Sequence, residues 1–176
     1  MANFAPLIVT LLLTIPFIST ASTQGMGKVT MKGQIFESAC SIHTDDAWQE
    51  IPFGVISYND INKQSSATTK PFAVRLINCA LERNNGNLWQ SVNITFGGET
   101  EVFHPDVFKV HGEAQGLGLR ILNQTGDVAH SGVPLPNVNL QNKSNELRYL
   151  LSLVRNGKSL SEGNWYSVIR FMVTYQ

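Results

Sequence analysis

Few side chains in this sequence could support metal or thiol chemistry, and they are widely spaced. Cys40 and Cys79 could form a disulfide, remain buried free thiols, or supply half of a tetrahedral zinc site. Zinc would need two further ligands; His43 lies three residues after Cys40, but no equivalent histidine lies near Cys79. The other histidines are scattered along the chain: His104, His111 and His130. We therefore expect all four histidines on the surface or in loops, and we predict no metal site.

Motifs for catalysis and cofactor binding are incomplete. Residues 116–121 begin like a dinucleotide-binding fingerprint but lack its third glycine, and no Gly-x-Ser-x-Gly turn is present to hold a serine nucleophile. The carboxylate pairs Asp45–Asp46 and Glu99/Glu101 occur in polar segments, where we expect them to be solvated. With 13 basic and 13 acidic residues, the net charge of zero argues against a nucleic-acid-binding protein. The sequence therefore predicts no enzyme, no cofactor and no small-molecule substrate.

Residues 1–21 have the composition of a secretory signal peptide. Their apolar stretch, residues 7–18, has the length of a signal-peptide core and is shorter than the roughly 20 residues that span a membrane. Ser19 and Ala21 provide the small side chains that precede a cleavage site, although no Lys or Arg occurs before Lys28; an uncleaved tether is the alternative. Because secreted proteins mature in an oxidising compartment, export favours a disulfide between the two cysteines.

Alternating apolar and polar residues predict that the rest of the chain is all-β. The expected strands are residues 28–32, 34–42, 72–79, 91–96, 117–122, 146–155 and 165–175. Connectors rich in Asn, Gly, Ser and Pro separate them, as in a turn-rich β-sandwich. Residues 147–154 also fit helical spacing, but they lead into an Asn-Gly turn, so we interpret them as a strand. Residues 58–70 are polar and are expected to form a loop.

The two ends of the predicted mature chain resemble a known family. The C-terminal segment has a glycine fourteen residues from the end, alternating apolar residues and a penultimate aromatic, at Gly163, Ile169, Phe171, Val173 and Tyr175. The N-terminal segment, residues 24–33, precedes a strand that ends in Ala-Cys-Ser-Ile at residues 39–42, and residues 75–79 end in an Asn-Cys pair. This combination resembles the pilins of the chaperone–usher pathway of Gram-negative bacteria, the family of type 1 and P pilus subunits.

The resemblance implies an incomplete immunoglobulin-like sandwich that lacks its seventh strand and is completed by a donor strand. The missing strand would leave an apolar groove beside the last strand of the chain, and an unpaired edge of this kind promotes aggregation. In pilins a strand of a periplasmic chaperone fills the groove, and at the outer-membrane usher the N-terminal extension of a neighbouring subunit replaces it. The implied partners are the chaperone, the usher and neighbouring pilins. The implied location is the fimbrium on the bacterial surface, reached through the periplasm.

The resemblance also assigns roles to particular positions. Residues 22–32 would be the donor extension and residues 33–176 the pilin domain, with Cys40–Cys79 joining its first two strands. The donor residues expected to point inward alternate along the extension, with Gly27 as the invariant small position: Gly25, Gly27, Val29 and Met31. The groove edge and chaperone site would comprise Gly163, Ile169, Phe171, Val173, Tyr175 and the terminal carboxylate of Gln176.

Four further segments are most similar to the minor subunit that terminates the rod of P pili. They are residues 46–51, 86–88, 112–116 and 154–163. In that subunit the groove lacks an open starting pocket, so growth stops and the pilus stays anchored at its base. One departure is that the N-terminal segment of the terminating subunit is longer than residues 22–32. The alternatives are an ordinary rod subunit and a tip adaptor or adhesin, although a two-domain adhesin would need an additional lectin domain.

Overall fold

A computed structural model describes residues 25, 27–35, 37–65 and 68–176. The chain divides into two units, Met1–Ile35 and Phe36–Gln176. The predicted signal peptide and residues 22–24 and 26 of the predicted donor extension lie outside the described residues. In the first unit the described residues form no helix or strand, so the strand expected at residues 28–32 is absent. A single extended segment does not form a β-ladder without a neighbouring backbone.

The second unit consists of antiparallel strands and short helices, numbered here in chain order. They are β1 (Ser41–Ile42), α1 (Thr44–Ala47), α2 (Tyr58–Lys63), β2 (Thr69–Cys79), β3 (Ser91–Gly97), β4 (Thr100–Glu101), β5 (His104–Lys109), β6 (His111–Gly112), β7 (Leu117–Asn123), β8 (Val138–Asn139), β9 (Lys143–Arg155), β10 (Trp165–Tyr166) and β11 (Arg170–Tyr175). The largest sheet has the order β1-β2-β9-β7-β5-β4; a second sheet has the order β11-β3-β8, and β10 pairs with β6. Within the described part of the chain, no helix is long and apolar enough to cross a membrane.

The core lies between the largest sheet and β3. Alternate residues of the strands point into it, as the pleat of a β-strand requires. Those that are almost completely buried include Val74 and Leu76 on β2, Val92, Ile94 and Phe96 on β3, Ile121 on β7 and Leu153 on β9. Phe96 meets Tyr149 of β9 edge-on, with 5.1 Å between the ring centroids. Two facing sheets joined in this way form the predicted all-β sandwich.

The long strands were predicted well and the short elements were not. Strands β2, β3, β7 and β9 coincide with predicted segments to within a few residues. The predicted strand 165–175 is interrupted between β10 and β11, and residues 34–42 contribute only β1. Strand β5 was missed because it begins His-Pro-Asp, and Pro and Asp are rare in strands.

Helix α2 corrects the prediction of a loop at residues 58–70. Ser57 and Asp60 form a capping box: the Asp60 N–H donates to Ser57 Oγ at 3.2 Å, and the Ser57 N–H donates to Asp60 Oδ2 at 3.2 Å. Ile61 is buried against the core, with 4% of its surface exposed. The helix ends at Gln64, which adopts the left-handed conformation. A single turn and a half leaves too little periodicity to detect in the sequence.

Cys40 and Cys79 form a disulfide, which confirms the prediction. It joins the segment before β1 to the last residue of β2, next to the point where these two strands pair through Ser41 and Ile77. The bond therefore fastens the N-terminal end of the sandwich to one of its central strands.

Candidate functional site

The last strand of the chain has one paired edge and one unpaired edge. On one side β11 is antiparallel to β3 from Arg170–Gly97 to Tyr175–Val92. No strand in the described part of the chain pairs with its other edge. A strand edge with free N–H and C=O groups is a template for another strand.

A groove of about 1590 Å³ lies beside this edge. Its first rim is residues 48–57, and its second rim is residues 163–171. Its floor consists of apolar core side chains: Phe72, Phe96, Leu119, Ile121, Leu151 and Leu153. The first rim contains no strand, because residues 48–57 form neither helix nor ladder. An apolar floor between two rims is the shape that accepts an extended peptide.

The predicted groove-edge residues lie along one side of the site but not all of them line it. Ile169, Phe171, Val173 and Tyr175 pack against the core and are half-buried, whereas the residues between them are exposed. Gly163, Ile169 and Phe171 line the groove, while Val173, Tyr175 and Gln176 continue the strand past its lined part. The alternation expected from the sequence is therefore present through the end of β11.

Tyr175 anchors the far end of β11 to the disulfide region. Its hydroxyl donates a hydrogen bond to the carbonyl oxygen of Cys40 at 3.1 Å, and its ring meets Trp89 edge-on at 6.0 Å. Burial raises the pKa of Tyr175, so the hydroxyl stays protonated and able to donate. The penultimate aromatic thus fixes the end of the groove edge to the start of the sandwich.

At the end of the groove next to β10, two aromatic rings from opposite rims contact each other. Phe53 from the first rim and Trp165 from the second are both half-buried, with 5.4 Å between their ring centroids. Tilted pairs at this distance attract each other by about 0.5–1.5 kcal/mol beyond the area they bury. Both rings line the groove. The sequence showed no sign of this contact, because the two residues lie far apart in the chain.

Gly163 allows the second rim to approach β6 closely. Its φ of +142° disfavours a side chain, and an added Cβ would overlap the Cβ of Glu113 and lie 2.9 Å from the backbone nitrogen of Ala114. Nearby, the N–H of Glu113 donates to the carbonyl oxygen of Asn164 at 2.8 Å. The predicted glycine position therefore has a steric reason in this fold.

Asp46, which lies in α1 just before the first rim, is buried and hydrogen-bonded to Arg75, contrary to the expectation that it would be solvated. Only 6% of the residue is exposed. Its Oδ2 accepts hydrogen bonds from the Arg75 backbone N–H at 2.7 Å and from Nε at 2.8 Å, and its Oδ1 accepts one from Nη2 at 2.8 Å. The side-chain hydrogen bonds from Arg75 hold the pKa of Asp46 below its ordinary value. Gln49 adds a hydrogen bond from its side-chain amide to the carbonyl oxygen of Ala73 at 2.7 Å.

The described residues of the first unit form neither helix nor strand and are exposed. Gly25 and Gly27 have open space around them, and the exposed fractions of Val29 and Met31 are 83% and 89%. Ile35 continues the same alternating set and is also fully exposed, but the prediction had ended the extension at residue 32. Gly33 and Ile35 thus continue the period-two pattern of the sequence past that boundary.

Known proteins similar to this chain are fimbrial subunits. No protein-family model matches it. It is 35% identical over 155 residues to the PRS fimbrial minor pilin protein of Escherichia coli, covering 85% of this chain and 77% of that protein. The PAP fimbrial minor pilin protein of Escherichia coli is 34% identical over 155 residues, with the same shares covered. The chain belongs to the chaperone–usher fimbrial pilins.

Solved pilus structures share the fold of this pilin. The P pilus rod subunit PapA gives a TM-score of 0.69 at 23% identity, covering 79% of this chain and 100% of that one. A subunit of a chaperone–usher pilus studied for rod uncoiling gives a TM-score of 0.69 at 27% identity, covering 90% of this chain and 100% of that one. The fold is the incomplete immunoglobulin-like sandwich expected from the sequence. This pilin is thus a structural subunit of chaperone–usher pili and not an enzyme.

Proposed function

We propose that this pilin is the minor subunit that terminates a pilus rod assembled by strand donation. A periplasmic chaperone first inserts a strand beside β11, pairing with its free edge and covering the apolar floor. At the outer-membrane usher the pilin joins the fimbrium by donating its own N-terminal extension to a neighbouring subunit. Its own groove then refuses the extension of a further subunit, so that growth ends there.

The single observation that carries the terminator proposal is the contact between Phe53 and Trp165. Strand addition depends on alternate side chains of the donor entering pockets between the rims. At the β10 end of the groove two aromatic rings, which come from opposite rims, contact each other between those rims. The similarity to two proteins named as minor pilins supports the same proposal.

Donor-strand exchange tests this proposal directly. The pilin would be purified with the P-pilus chaperone and mixed with a synthetic peptide of a P-pilus rod subunit's N-terminal extension. Chaperone release would be followed by gel filtration, with a chaperone-bound rod subunit as the positive control. We expect the rod subunit to release its chaperone while this pilin retains it. Release at the rod subunit's rate would contradict termination and favour an ordinary subunit, for which the open remainder of the groove is the supporting observation.

The need for a chaperone is tested separately. An apolar groove beside an unpaired edge should make the isolated chain aggregate, because about 1590 Å³ of space over core side chains would be left to solvent. Expressed in the periplasm without a chaperone, the chain is expected to be degraded or insoluble. A soluble, stable monomer under these conditions would contradict strand donation itself.

We infer that the exposed extension is the donor strand and that it includes Ile35. Val29, Met31 and Ile35 lie at alternate positions with Gly27, so one face of a donated strand would carry them together. Deleting residues 22–32 is expected to leave chaperone binding intact, because the groove belongs to the second unit, and to abolish attachment to the neighbouring subunit. Loss of the chaperone complex from the deleted chain would contradict this separation of roles, and so would normal attachment.

A further inference from the structure

Strand β2 has a second edge that lacks a partner strand over most of its length. On one side β2 pairs with β9. On the other side β1 pairs with only two of its residues, Leu76 and Ile77, and no further strand in the described part of the chain lies there. Phe72 of β2 and Phe171 of β11 both line the groove, so a strand that enters the groove meets side chains of both strands. The edge of β2 is therefore a second possible place for strand addition.

Both main-chain groups of Arg75 on this edge are already hydrogen-bonded. The Arg75 N–H donates to Asp46 Oδ2 at 2.7 Å, and the Arg75 carbonyl oxygen accepts from the His43 N–H at 2.9 Å. The Asp46 carboxylate thus takes the place of a carbonyl group of a neighbouring strand. The guanidinium of Arg75 keeps it there, because Nε and Nη2 each donate to it at 2.8 Å. A donor strand would have to displace a charge-assisted hydrogen bond to pair at this position.

The next two positions along this edge are also poor partners for a strand. Alternate residues of a strand direct their main-chain groups to the same side, so Ala73 and Pro71 share this edge with Arg75. The carbonyl oxygen of Ala73 accepts a hydrogen bond from Gln49 Nε2 at 2.7 Å. Pro71 has no N–H to donate. Three successive edge positions are thus occupied by side chains or lack a donor.

We propose that Asp46, Gln49 and Pro71 determine where a donor strand adds, by closing the edge of β2 and leaving β11 as the acceptor. Among the described residues no side chain hydrogen-bonds to the main chain of β11, and its outer edge stays open. Side chains that occupy one edge while the other is open make strand addition specific for the open edge. The inference rests on the proposed strand donation, and it is independent of whether this pilin terminates the rod.

A double variant, Gln49→Met with Pro71→Ala, opens the edge of β2. Methionine keeps the length of the glutamine side chain but cannot donate to the Ala73 carbonyl oxygen, and alanine restores an N–H at position 71. Asp46 and its hydrogen bonds are left intact, and both substituted residues are exposed, so the sandwich is expected to fold. The matched control is Gln124→Met with Pro136→Ala, because these two residues are also exposed and do not line the groove.

The assay uses the chaperone-bound pilin, in which the chaperone strand occupies the edge of β11. A fluorescent peptide of residues 25–35 of this chain, carrying a benzophenone group, would be titrated into each complex. Fluorescence anisotropy gives its affinity, gel filtration checks that the chaperone is retained, and photo-cross-linking with mass spectrometry locates the peptide. We expect the double variant to bind the peptide about 5- to 150-fold more tightly than the wild type, because two further hydrogen bonds can form, with cross-links at residues 69–75. The control is expected to match the wild type.

The outcomes distinguish this proposal from the proposed function. Unchanged affinity of the double variant, or cross-links of the wild type at residues 69–75 that are as strong as those of the variant, would overturn the closing of this edge while chaperone capture stands. If the double variant accumulates poorly, Gln49→Met alone should still tighten peptide binding by about two- to tenfold, and no change there would count equally against the proposal. If the wild-type chain forms no complex with the chaperone at all, strand donation itself fails and the role of the β2 edge fails with it.

Discussion

Replacing Phe53 with alanine is expected to convert this pilin into a better acceptor of a donor strand. Under the proposed terminator role, a donor side chain must part the Phe53 and Trp165 rings of the wild type, whose centroids are 5.4 Å apart. Such a pair is worth about 0.5–1.5 kcal/mol. If separating the two rings contributes this energy to the barrier to exchange, Phe53→Ala speeds chaperone release by about two- to twelvefold.

Phe53→Ala should change the equilibrium of the exchange more than its rate. With the phenyl ring gone, a donor side chain of the size of valine or leucine can be buried in the vacated space, which contributes about 1.5–3 kcal/mol. Together with the lost ring pair, the exchanged complex gains about 2–4.5 kcal/mol, or about 30- to 1600-fold in the equilibrium between chaperone-bound and peptide-bound pilin.

The assay is the same peptide exchange, performed with Phe53→Ala beside the wild type. Phe103→Ala is the matched control, because Phe103 lies in the turn between β4 and β5, is 88% exposed and does not line the groove. We expect faster and more complete exchange for Phe53→Ala alone. If Phe53→Ala remains as resistant as the wild type while a rod subunit exchanges normally, the two rings are not the obstacle.

Two other substitutions test how the rims of the groove are held. Asp46→Asn removes a carboxylate whose pKa is held below its ordinary value of 3.8 by hydrogen bonds from Arg75. The wild type should keep this stabilisation above about pH 4 and lose it as the pH falls through the lowered pKa. The melting temperature of the chaperone complex should therefore fall less steeply in acid for Asp46→Asn than for the wild type. Equal slopes would count against a stabilising role of the Asp46–Arg75 pair. Gly163→Ala should lower the stability of the complex by about 1–3 kcal/mol or more, because it combines a positive φ with backbone overlap. Gly126→Ala has a positive φ of +90° but open space, so a comparable loss there would mean that backbone conformation, not crowding, explains the effect.

The second rim of the groove could be predicted from the sequence and the first rim could not. Residues 169–175 alternate apolar and polar side chains, and this pattern reports directly which residues of a strand face the core. Residues 48–57 form no strand and have no such period, so nothing local indicated that they face β11 across a groove. Similarly, the paired strands β4, β6 and β8 contain only two residues each, too few to have a detectable pattern.

Asp46 shows how local reasoning fell short. It lies in a polar segment and was expected to be solvated, but its partner Arg75 is 29 residues away and becomes its neighbour only when β2 is in place. The error therefore comes from a long-range contact. The proposal that Ile35 belongs to the extension, in contrast, rests on a period-two pattern that is visible in the sequence itself.

Local chemistry was sufficient to identify the long strands, the disulfide and the family, because side-chain alternation, cysteine pairing and terminal motifs are properties of short segments. The contact between Phe53 and Trp165 and the hydrogen bonds between Asp46 and Arg75 arise only in the folded molecule. Each joins residues separated by tens of positions, and no short segment records which distant side chain it will meet.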